Sequence, residues 1–350
     1  MRALLLCLAT VPALAQTVVT TVPTAAAVNI DRPWAGGIGR YQQWFSAPSL
    51  QAGIPQPMRI EQIEFFAGLS SSAIATTINC EILMGHGLAS GVTGQFATNF
   101  ASPPVMVLPL QNVALAAGAP GAVVMTIPFT TKFTWDRVRP LVLEIRIHGN
   151  GQNNQPFVYN HRGVSAAGGA TTRVYQAGSV TATLGTVSPG VGLIVRFTAR
   201  PGVLLDYGSG CPGGLNVTPV NSVQQLMEPG INWTHQVSNA GSSQIALWTM
   251  GDTPLDGFAP NPPALDLSLL FGVPQSNCFL RNNALWLQAA TTVGGGPGSG
   301  IASFTWALPA VTSYVGLSFY TQWIVFDPLS PNGLLSTTQG IRCICAPVGG

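Results

Sequence analysis

The sequence predicts an all-β protein built from two antiparallel, jelly-roll-like β-sandwich domains in tandem. No stretch repeats its apolar residues at the helical period of about 3.6, so no amphipathic helix is indicated. The 40 glycines and 28 prolines recur at short intervals along the 350-residue chain, as expected for the turns between short strands. Between them lie short runs in which apolar and polar residues alternate, and this is the pattern of half-buried strands.

Four alternating runs precede residue 200, at 58–68, 76–85, 139–149 and 192–199. The run 139–149 is the clearest, because its side chains separate into two sets that would lie on opposite faces of a strand. Leu141, Leu143, Ile145 and Ile147 are expected to face the core, and Val142, Glu144, Arg146 and His148 are expected to face solvent.

A second set of alternating runs begins after Pro201 and continues to the end of the chain, at the spacing of a sandwich or jelly roll. The charge balance changes at the same point. Residues 17–201 carry 11 basic and 6 acidic side chains, a balance of +5, whereas residues 202–350 carry 2 and 6, a balance of −4. We therefore predict an N-terminal domain over 16–200 and a C-terminal domain over 201–350.

The first fifteen residues have the pattern of a secretory signal peptide. Arg2 is followed by an apolar stretch over 3–10 and by Ala13-Leu14-Ala15, a small-x-small cleavage site whose two alanines precede the cut before Gln16. This predicts removal of 1–15 and a mature chain from Gln16. The apolar stretch is shorter than the roughly 20 residues of a membrane span. We therefore predict no membrane span and a secreted, extracellular or cell-surface protein.

Cysteine usage fits an oxidising compartment. Five cysteines remain after Cys7 is removed with the signal peptide, and this odd number predicts at least one disulfide and one unpaired thiol. Cys211 lies in the pliable segment YGSGCPGG, where a covalent tie restricts the unfolded chain. Cys278 is its nearest partner by position. We predict a Cys211–Cys278 disulfide that stabilises the fold by roughly 3–5 kcal/mol.

The partners of the other three cysteines stay open. Cys80 is centred on an apolar strand face and is expected to be a buried thiol. Cys343 and Cys345 are two residues apart, so a bridge between them would be strained on a strand. An unpaired thiol at either position is a candidate for linking two chains.

Several segments resemble exported bacterial proteins that have two β-sandwich domains and no characterised activity. YGSGCPGG (207–214), LDLSLLFGVPQSNCFL (265–280) and VGLSFYTQWIVFDP (315–328) resemble a C-terminal domain with the pattern G-x-G-C-P-G, L-x-L-D-L, G-x-x-x-Y-x-Q. RYQQWFSAPSL (40–50) and LVLEIRIHG (141–149) resemble a second such family. The resemblance implies two β-sandwiches and no defined activity. The chain departs from the pattern at Asn277, since a glycine is usual ahead of the cysteine.

Composition and motifs predict a protein that is not an enzyme and holds no cofactor. Charged residues make up only 7% of the chain and are scattered, which argues against a nucleic-acid partner. No C-x-x-C is present, and the four histidines do not complete a zinc pattern. The nearest approach to a serine-hydrolase elbow has Pro297 in place of the first glycine, and no helix follows.

Asp252 and Asp256 are the only candidates for a metal site. They lie four residues apart on a proline-bearing loop, and calcium takes loop carboxylates together with backbone oxygens. Turn formation explains the same two residues without an ion, because aspartates cap and close turns. We therefore predict no metal site and keep this pair as a weak calcium candidate.

Aromatic and amide side chains in the N-terminal half are the candidates for ligand binding. Sugars bind by stacking on exposed aromatic rings and by hydrogen bonding to amides. The candidate residues are Trp34, Tyr41, Trp44, Asn153, Asn154 and Tyr159, of which Trp34 and Tyr159 are the best placed to be exposed. In the C-terminal half, Trp233, Trp248, Trp286, Trp306 and Trp323 lie on predicted strands and are expected in the core.

These features predict an exported, non-catalytic protein that acts in extracellular or cell-surface interaction or adhesion, with an extracellular glycan or another surface protein as partner. The alternative is a structural subunit of an extracellular layer, fibre or matrix. The two functions differ in what the surface must show. A binding module needs exposed aromatics beside polar side chains, whereas a self-associating subunit needs apolar patches or uncovered sheet edges.

Overall fold

The computed structural model describes residues 17–257, 261–272 and 277–348, so the predicted signal peptide lies outside the described residues. Strands make up 50% of the structure and helices 7%, which confirms the all-β fold class. The chain forms two compact units, Thr17–Arg200 and a second unit from Pro201 onward. No described helix has the length and apolar character that crossing a membrane requires.

The described strands of the first unit are β1 (Val18–Val22), β2 (Val28–Ile30), β3 (Gly39–Phe45), β4 (Met58–Phe66), β5 (Thr76–His86), β6 (Val105–Leu115), β7 (Val123–Trp135), β8 (Leu141–Asn150), β9 (His161–Val164), β10 (Thr171–Ala177), β11 (Thr186–Pro189), β12 (Gly192–Leu193) and β13 (Val195–Arg200). The unit also contains helix α1 (Ala47–Gln51) and 3₁₀ turns at Phe96–Asn99 and Gly168–Ala170.

The described strands of the second unit are β14 (Val203–Tyr207), β15 (Val220–Val223), β16 (Asn232–Ala240), β17 (Ile245–Gly251), β18 (Leu265–Asp266), β19 (Phe279–Leu280), β20 (Trp286–Thr291), β21 (Gly300–Ala307), β22 (Ser318–Phe326), β23 (Leu335–Thr337) and β24 (Gly340–Ile344). The unit also contains helix α2 (Leu267–Phe271) and 3₁₀ turns at Gly214–Asn216 and Thr312–Tyr314.

Three antiparallel sheets build the first unit. Their strand orders are β1-β13-β4-β7, β11-β10-β3-β8-β5-β6 and β12-β9-β2. The four-stranded and six-stranded sheets contribute side chains to one hydrophobic core. Phe45 of β3 and Phe197 of β13 meet there edge to face, with ring centroids 5.4 Å apart. The jelly-roll-like sandwich arrangement of each unit stays a prediction.

Both faces of β8 are covered, and this differs from the sequence prediction. Leu141, Leu143, Ile145 and Ile147 are buried in the core as expected. The prediction that Val142 and Glu144 face solvent is wrong, since neither side chain has any exposed surface. The segment around the turn Phe96–Asn99 lies over this second face, where the Gln42 amide donates to the Phe96 carbonyl at 3.0 Å.

The second unit contains sheets with the orders β14-β24-β22-β17-β20, β15-β16-β21 and β18-β19, and β23 pairs with β22. Trp233, Trp248 and Trp323 are fully buried in its main core, as predicted. Trp306 is partly buried and packs against the same core. Trp286 is an exception, because 45% of its surface is exposed.

Two short helices appear where the sequence pattern predicts none, because five residues are too few for the helical period to show. Each has a side-chain cap at its start. Ser46 accepts a hydrogen bond from the Ser49 amide at the start of α1, and Asp266 accepts one from the Ser268 amide at the start of α2. Helix α2 ends at Gly272, whose φ of 65° suits glycine.

Candidate functional site

The aromatic residues predicted to stack on sugars are buried. Trp34 and Tyr41 are 0% exposed, Tyr159 is 2% exposed and Trp44 is 8% exposed. The expectation that Trp34 and Tyr159 reach the surface is therefore wrong. Trp34 packs edge to face against Phe65 in the core, with centroids 4.9 Å apart. These four rings offer no platform on which a sugar could stack.

Local contacts explain the burial of the other three rings. Tyr159 stacks on the ring of His161 with centroids 4.6 Å apart, and its hydroxyl donates to the Ala116 carbonyl. The Tyr41 hydroxyl donates to the Gln43 side chain at 2.6 Å. Trp44 lies on the opposite face of β3 from Tyr41, where its indole N–H donates to the Leu88 carbonyl at 3.0 Å.

Asn153 and Asn154 form an exposed turn rather than the wall of a pocket. Both residues have positive φ, at 55° and 62°, a conformation that asparagine tolerates better than most residues. The Asn154 side-chain oxygen accepts the Asn150 amide at 2.9 Å, which holds the turn closed. The predicted binding residues thus do not share one surface, because the asparagines are exposed and the rings are buried.

A buried carboxylate lies at the centre of an ion-pair network on the covered face of β8. Glu144 accepts hydrogen bonds from Arg40 Nε at 3.0 Å and from the guanidinium of Arg146, and the Gln42 amide also donates to it. Arg146 bonds in turn to Glu81 at 2.9 Å. Because each charge in this network meets an opposite charge, the network holds strands together and offers no unmet group for catalysis.

Glu144→Ala is expected to lower the free energy of unfolding of the first unit by about 2 kcal/mol, because it leaves Arg40 without an acidic partner among the described residues and Arg146 with Glu81 alone. The expected loss is below that of a fully buried pair, since the arginine side chains are 12% and 28% exposed. Urea unfolding of the wild type and the variant measures this loss in free energy of unfolding. The matched control is Asp31→Ala, which removes an exposed ion pair and should change stability by less than about 1 kcal/mol. Equal losses for the two variants would contradict a structural role for Glu144.

The Asp252 and Asp256 side chains make hydrogen bonds within their loop. Asp252 Oδ1 accepts from Thr253 Oγ1 at 2.9 Å and from Asn283 Nδ2 at 2.7 Å. Asp256 Oδ1 accepts from Asn261 Nδ2 at 3.0 Å. Among the described residues no group of three or more histidine, cysteine, aspartate or glutamate side chains is placed to hold a metal ion. Turn formation accounts for this pair.

The Cys211–Cys278 disulfide is present, with Cα atoms 5.1 Å apart, and the prediction is confirmed. Cys80 is an unpaired, buried thiol, as expected. Cys343 and Cys345 are unpaired too, but both are 0% exposed. The suggestion that either of them links chains is therefore wrong, because a thiol must reach the surface to form such a bond.

The strand β20 exposes apolar side chains at the edge of its sheet, and helix α2 exposes a comparable run at Leu269, Leu270 and Phe271 that has no open strand backbone. The one neighbour of β20 in the order β14-β24-β22-β17-β20 is β17. Leu285 is 65% exposed, Trp286 45% and Leu287 58%. The sequence does not indicate this exposure, since three consecutive apolar residues are typical of a strand buried on both faces. We call residues 285–291 the β20 edge.

Main-chain groups on the β20 edge are open to another strand. The Thr292 amide donates to the Gln244 carbonyl at 2.8 Å, so Thr292 faces the β17 side. In an antiparallel ladder successive residues direct these groups alternately to the two sides. The N–H and C=O groups of Leu287, Ala289 and Thr291 therefore point away from β17. On this outer side the Ala289 carbonyl accepts a hydrogen bond from the side chain of Gln288 at 3.3 Å, and strand pairing begins beyond β20, at the bridge between Val293 and Ile301.

The chain was compared with models of known protein families and with curated proteins. No family model matches it, and no curated protein matches it. The resemblance of the segments 207–214, 265–280 and 315–328 to an exported β-sandwich family therefore stays a prediction.

Proposed function

We propose that this protein is an exported, non-catalytic structural protein whose copies associate through the β20 edge. The exposure of Leu285, Trp286 and Leu287 on a strand with an open side supports this proposal most strongly. Of the two predicted functions, this favours the structural subunit over adhesion through stacked aromatics. The signal-peptide pattern of residues 1–15 supports export to the cell surface or the extracellular medium.

The absence of charge around β20 favours a second copy of the chain as the partner. Residues 282–326 contain no aspartate, glutamate, lysine or arginine. Natural edge strands are usually protected against pairing by charges or prolines, and the β20 edge has neither. Two copies related by a twofold axis would bring the same uncharged strand against itself without repulsion. A charged partner would find no complementary group there.

The size of the edge indicates how strong the association is. A stable interface buries about 800 Å² on each partner, and one short strand supplies less than that. We therefore expect association that depends on protein concentration rather than a permanent dimer. A twofold contact through the β20 edge joins two copies, so growth into a layer or fibre needs a second weak contact that acts together with it.

The test is the mass of the mature protein, measured by light scattering after size exclusion over a wide range of concentration. The wild type is expected to shift from monomer to larger species as concentration rises, and Leu287→Lys is expected to remain monomeric. Val158→Lys is the matched control, because it adds the same charge at an apolar residue that is 83% exposed and belongs to no exposed apolar run. A wild type that is monomeric throughout, or equal effects of the two lysines, would overturn the proposal.

A second variant separates strand pairing from simple apolar contact. Ala289→Pro removes an N–H that points away from β17, so the existing ladder keeps its hydrogen bonds. We expect this variant to weaken association although it adds no charge. If Leu287→Lys abolishes association and Ala289→Pro leaves it intact, the copies meet through apolar side chains and strand pairing is ruled out.

A further inference from the structure

A polar pocket of about 430 Å³ opens at one edge of the six-stranded sheet of the first unit. The strand β10 supplies Arg173 and Tyr175, the strand β11 supplies Thr186 and Ser188, and the loop after β2 supplies Asp31 and Arg32. None of these residues is among those predicted to bind a ligand. We call this site the Arg173 pocket.

The strand register explains why polar side chains meet here. Arg173 lies opposite Ser188 on one side and opposite Gln43 on the other, and Tyr175 lies between Thr186 and Tyr41 in the same way. Gln43 and Tyr41 are fully buried. The face of the sheet that forms the core at β3 therefore continues to β10 and β11, where the pocket opens it to solvent. Polar residues on this part of the face can meet a ligand.

The pocket carries a positive charge that the protein does not neutralise. Arg32 Nη1 is 2.7 Å from Asp31 Oδ2, so these two charges offset each other. Arg173 makes no side-chain hydrogen bond or ion pair with any residue that the structure describes. Its guanidinium is thus available to an anion. Thr186 and Ser188, across the ladder from β10, likewise have hydroxyls without a partner in the described chain.

Two glycines leave room for the Tyr175 side chain at the aromatic side of the pocket. A Cβ atom at Gly36 would lie 2.5 Å from the Tyr175 hydroxyl and 2.7 Å from Arg32 Cδ, and a Cβ at Gly39 would lie 3.1 Å from the same hydroxyl. The Arg32 guanidinium lies over the Tyr175 ring, 5.3 Å from its centroid. The absence of side chains at Gly36 and Gly39 thus makes room for Tyr175 and Arg32 to lie together at this end of the pocket.

We propose that the Arg173 pocket binds the carboxylate of an acidic sugar, a hexuronate residue of an extracellular polysaccharide. A guanidinium matches a carboxylate through two parallel hydrogen bonds. The hydroxyls of Thr186 and Ser188 pair with sugar hydroxyls, which both donate and accept. The volume lies within the range of small-molecule sites. This activity does not depend on association through the β20 edge.

Isothermal titration calorimetry of the mature protein with polygalacturonate tests the proposal, and free galacturonate and the neutral polymer dextran are run beside it. We expect saturable binding of polygalacturonate that weakens at high salt, and no binding of dextran. Free galacturonate is expected to compete at higher concentration, which would show that the carboxylate and a single sugar are recognised. Binding of inorganic sulfate in place of both uronate probes, or equal binding of dextran, would overturn the proposal.

Arg173→Gln is expected to reduce the affinity for polygalacturonate by about tenfold or more, since a charge-assisted hydrogen bond is lost. Arg139→Gln is the matched control, because it removes a 45% exposed arginine of the same unit outside the pocket. A thermal melt confirms that both variants fold. Equal losses of affinity in the two variants would mean that the overall charge of the protein attracts the polymer. That result would contradict binding in the Arg173 pocket. Leu287→Lys should bind polygalacturonate as the wild type does, so the two proposals can fail separately.

Discussion

Replacing both Cys211 and Cys278 by serine is expected to lower the free energy of unfolding of the second unit by roughly 3–5 kcal/mol. The two residues are 67 positions apart, so the bond closes a long loop and restricts the unfolded chain. Both half-cystines are buried in a small apolar cluster that includes Leu267 and Leu335. Serine hydroxyls would keep polar neighbours there, since Thr337 Oγ1 lies 3.5 Å from Cys211 Sγ and Asn332 Nδ2 lies 3.3 Å from Cys278 Sγ. The expected loss therefore comes from the broken covalent bond.

Urea unfolding with and without a reductant distinguishes this disulfide from a general effect of thiol chemistry. Reductant should destabilise the wild type by about the same amount as the double substitution. It should leave the Cys211→Ser/Cys278→Ser variant unchanged, because the other described cysteines are unpaired. If the double variant is as stable as the wild type, the bond contributes little and the cluster around it holds the segment without help.

Alternation of side chains predicts much of the strand framework. The runs 58–68 and 139–149 correspond to β4 (Met58–Phe66) and β8 (Leu141–Asn150). The pairing of Cys211 with Cys278 follows from position alone, because few cysteines are available to choose among. These features depend on residues that are close in sequence, or on a small number of candidates, so local rules suffice to find them.

Local sequence patterns do not predict that the candidate binding residues are buried. Trp34 and Tyr159 stand in stretches without alternation, and only the folded path of the chain shows that both lie against the core. Glu144 is buried because the Phe96–Asn99 segment crosses the outer face of β8, and no local pattern specifies that crossing. Local sequence context therefore does not predict whether a loop aromatic is exposed, because contacts with distant parts of the chain decide its burial.

The Arg173 pocket could not be predicted from the sequence either, because its residues are distant along the chain. Arg32 and Arg173 are far apart in the sequence and line one pocket because the loop after β2 lies beside β10 in the folded unit. The sequence shows no motif that links them. The β20 edge is missed for a related reason. The unbroken apolar run Leu285, Trp286 and Leu287 is typical of a strand covered on both faces, so Trp286 is expected in the core. Only the folded chain shows that β20 lies at the edge of its sheet with these side chains exposed.

Lowering the pH from 7 to 4 is expected to reduce the free energy of unfolding of each unit by about 3 kcal/mol, because each contains a histidine that is neutral when folded. His161 on β9 and His235 on β16 are both 0% exposed. Burial lowers the pKa of each from 6.5 to about 3. Burial also lowers the pKa of His86, which adds to the loss in the first unit.

The direction of the effect follows from proton binding. Below pH 6.5 the unfolded chain takes up a proton at each histidine, whereas the folded units exclude that proton until the pH approaches 3. Stability is therefore full above pH 6.5 and falls as the pH is lowered toward 3. His161 stacks on Tyr159, and His235 lies between Trp233 and Trp248 with centroids 4.1 and 5.0 Å away. Among the described residues neither ring forms an ion pair that would favour its charged form.

Urea titration followed by hydrogen-exchange mass spectrometry measures the two units separately in the intact chain. His235→Phe keeps an aromatic ring between the two tryptophans but cannot take up a proton. We expect it to abolish most of the acid loss in the second unit and to leave the first unit as sensitive as before, and His161→Phe should do the reverse. A second unit that loses the same stability at pH 4 with phenylalanine at 235 would show that other groups, and not this histidine, control its acid unfolding.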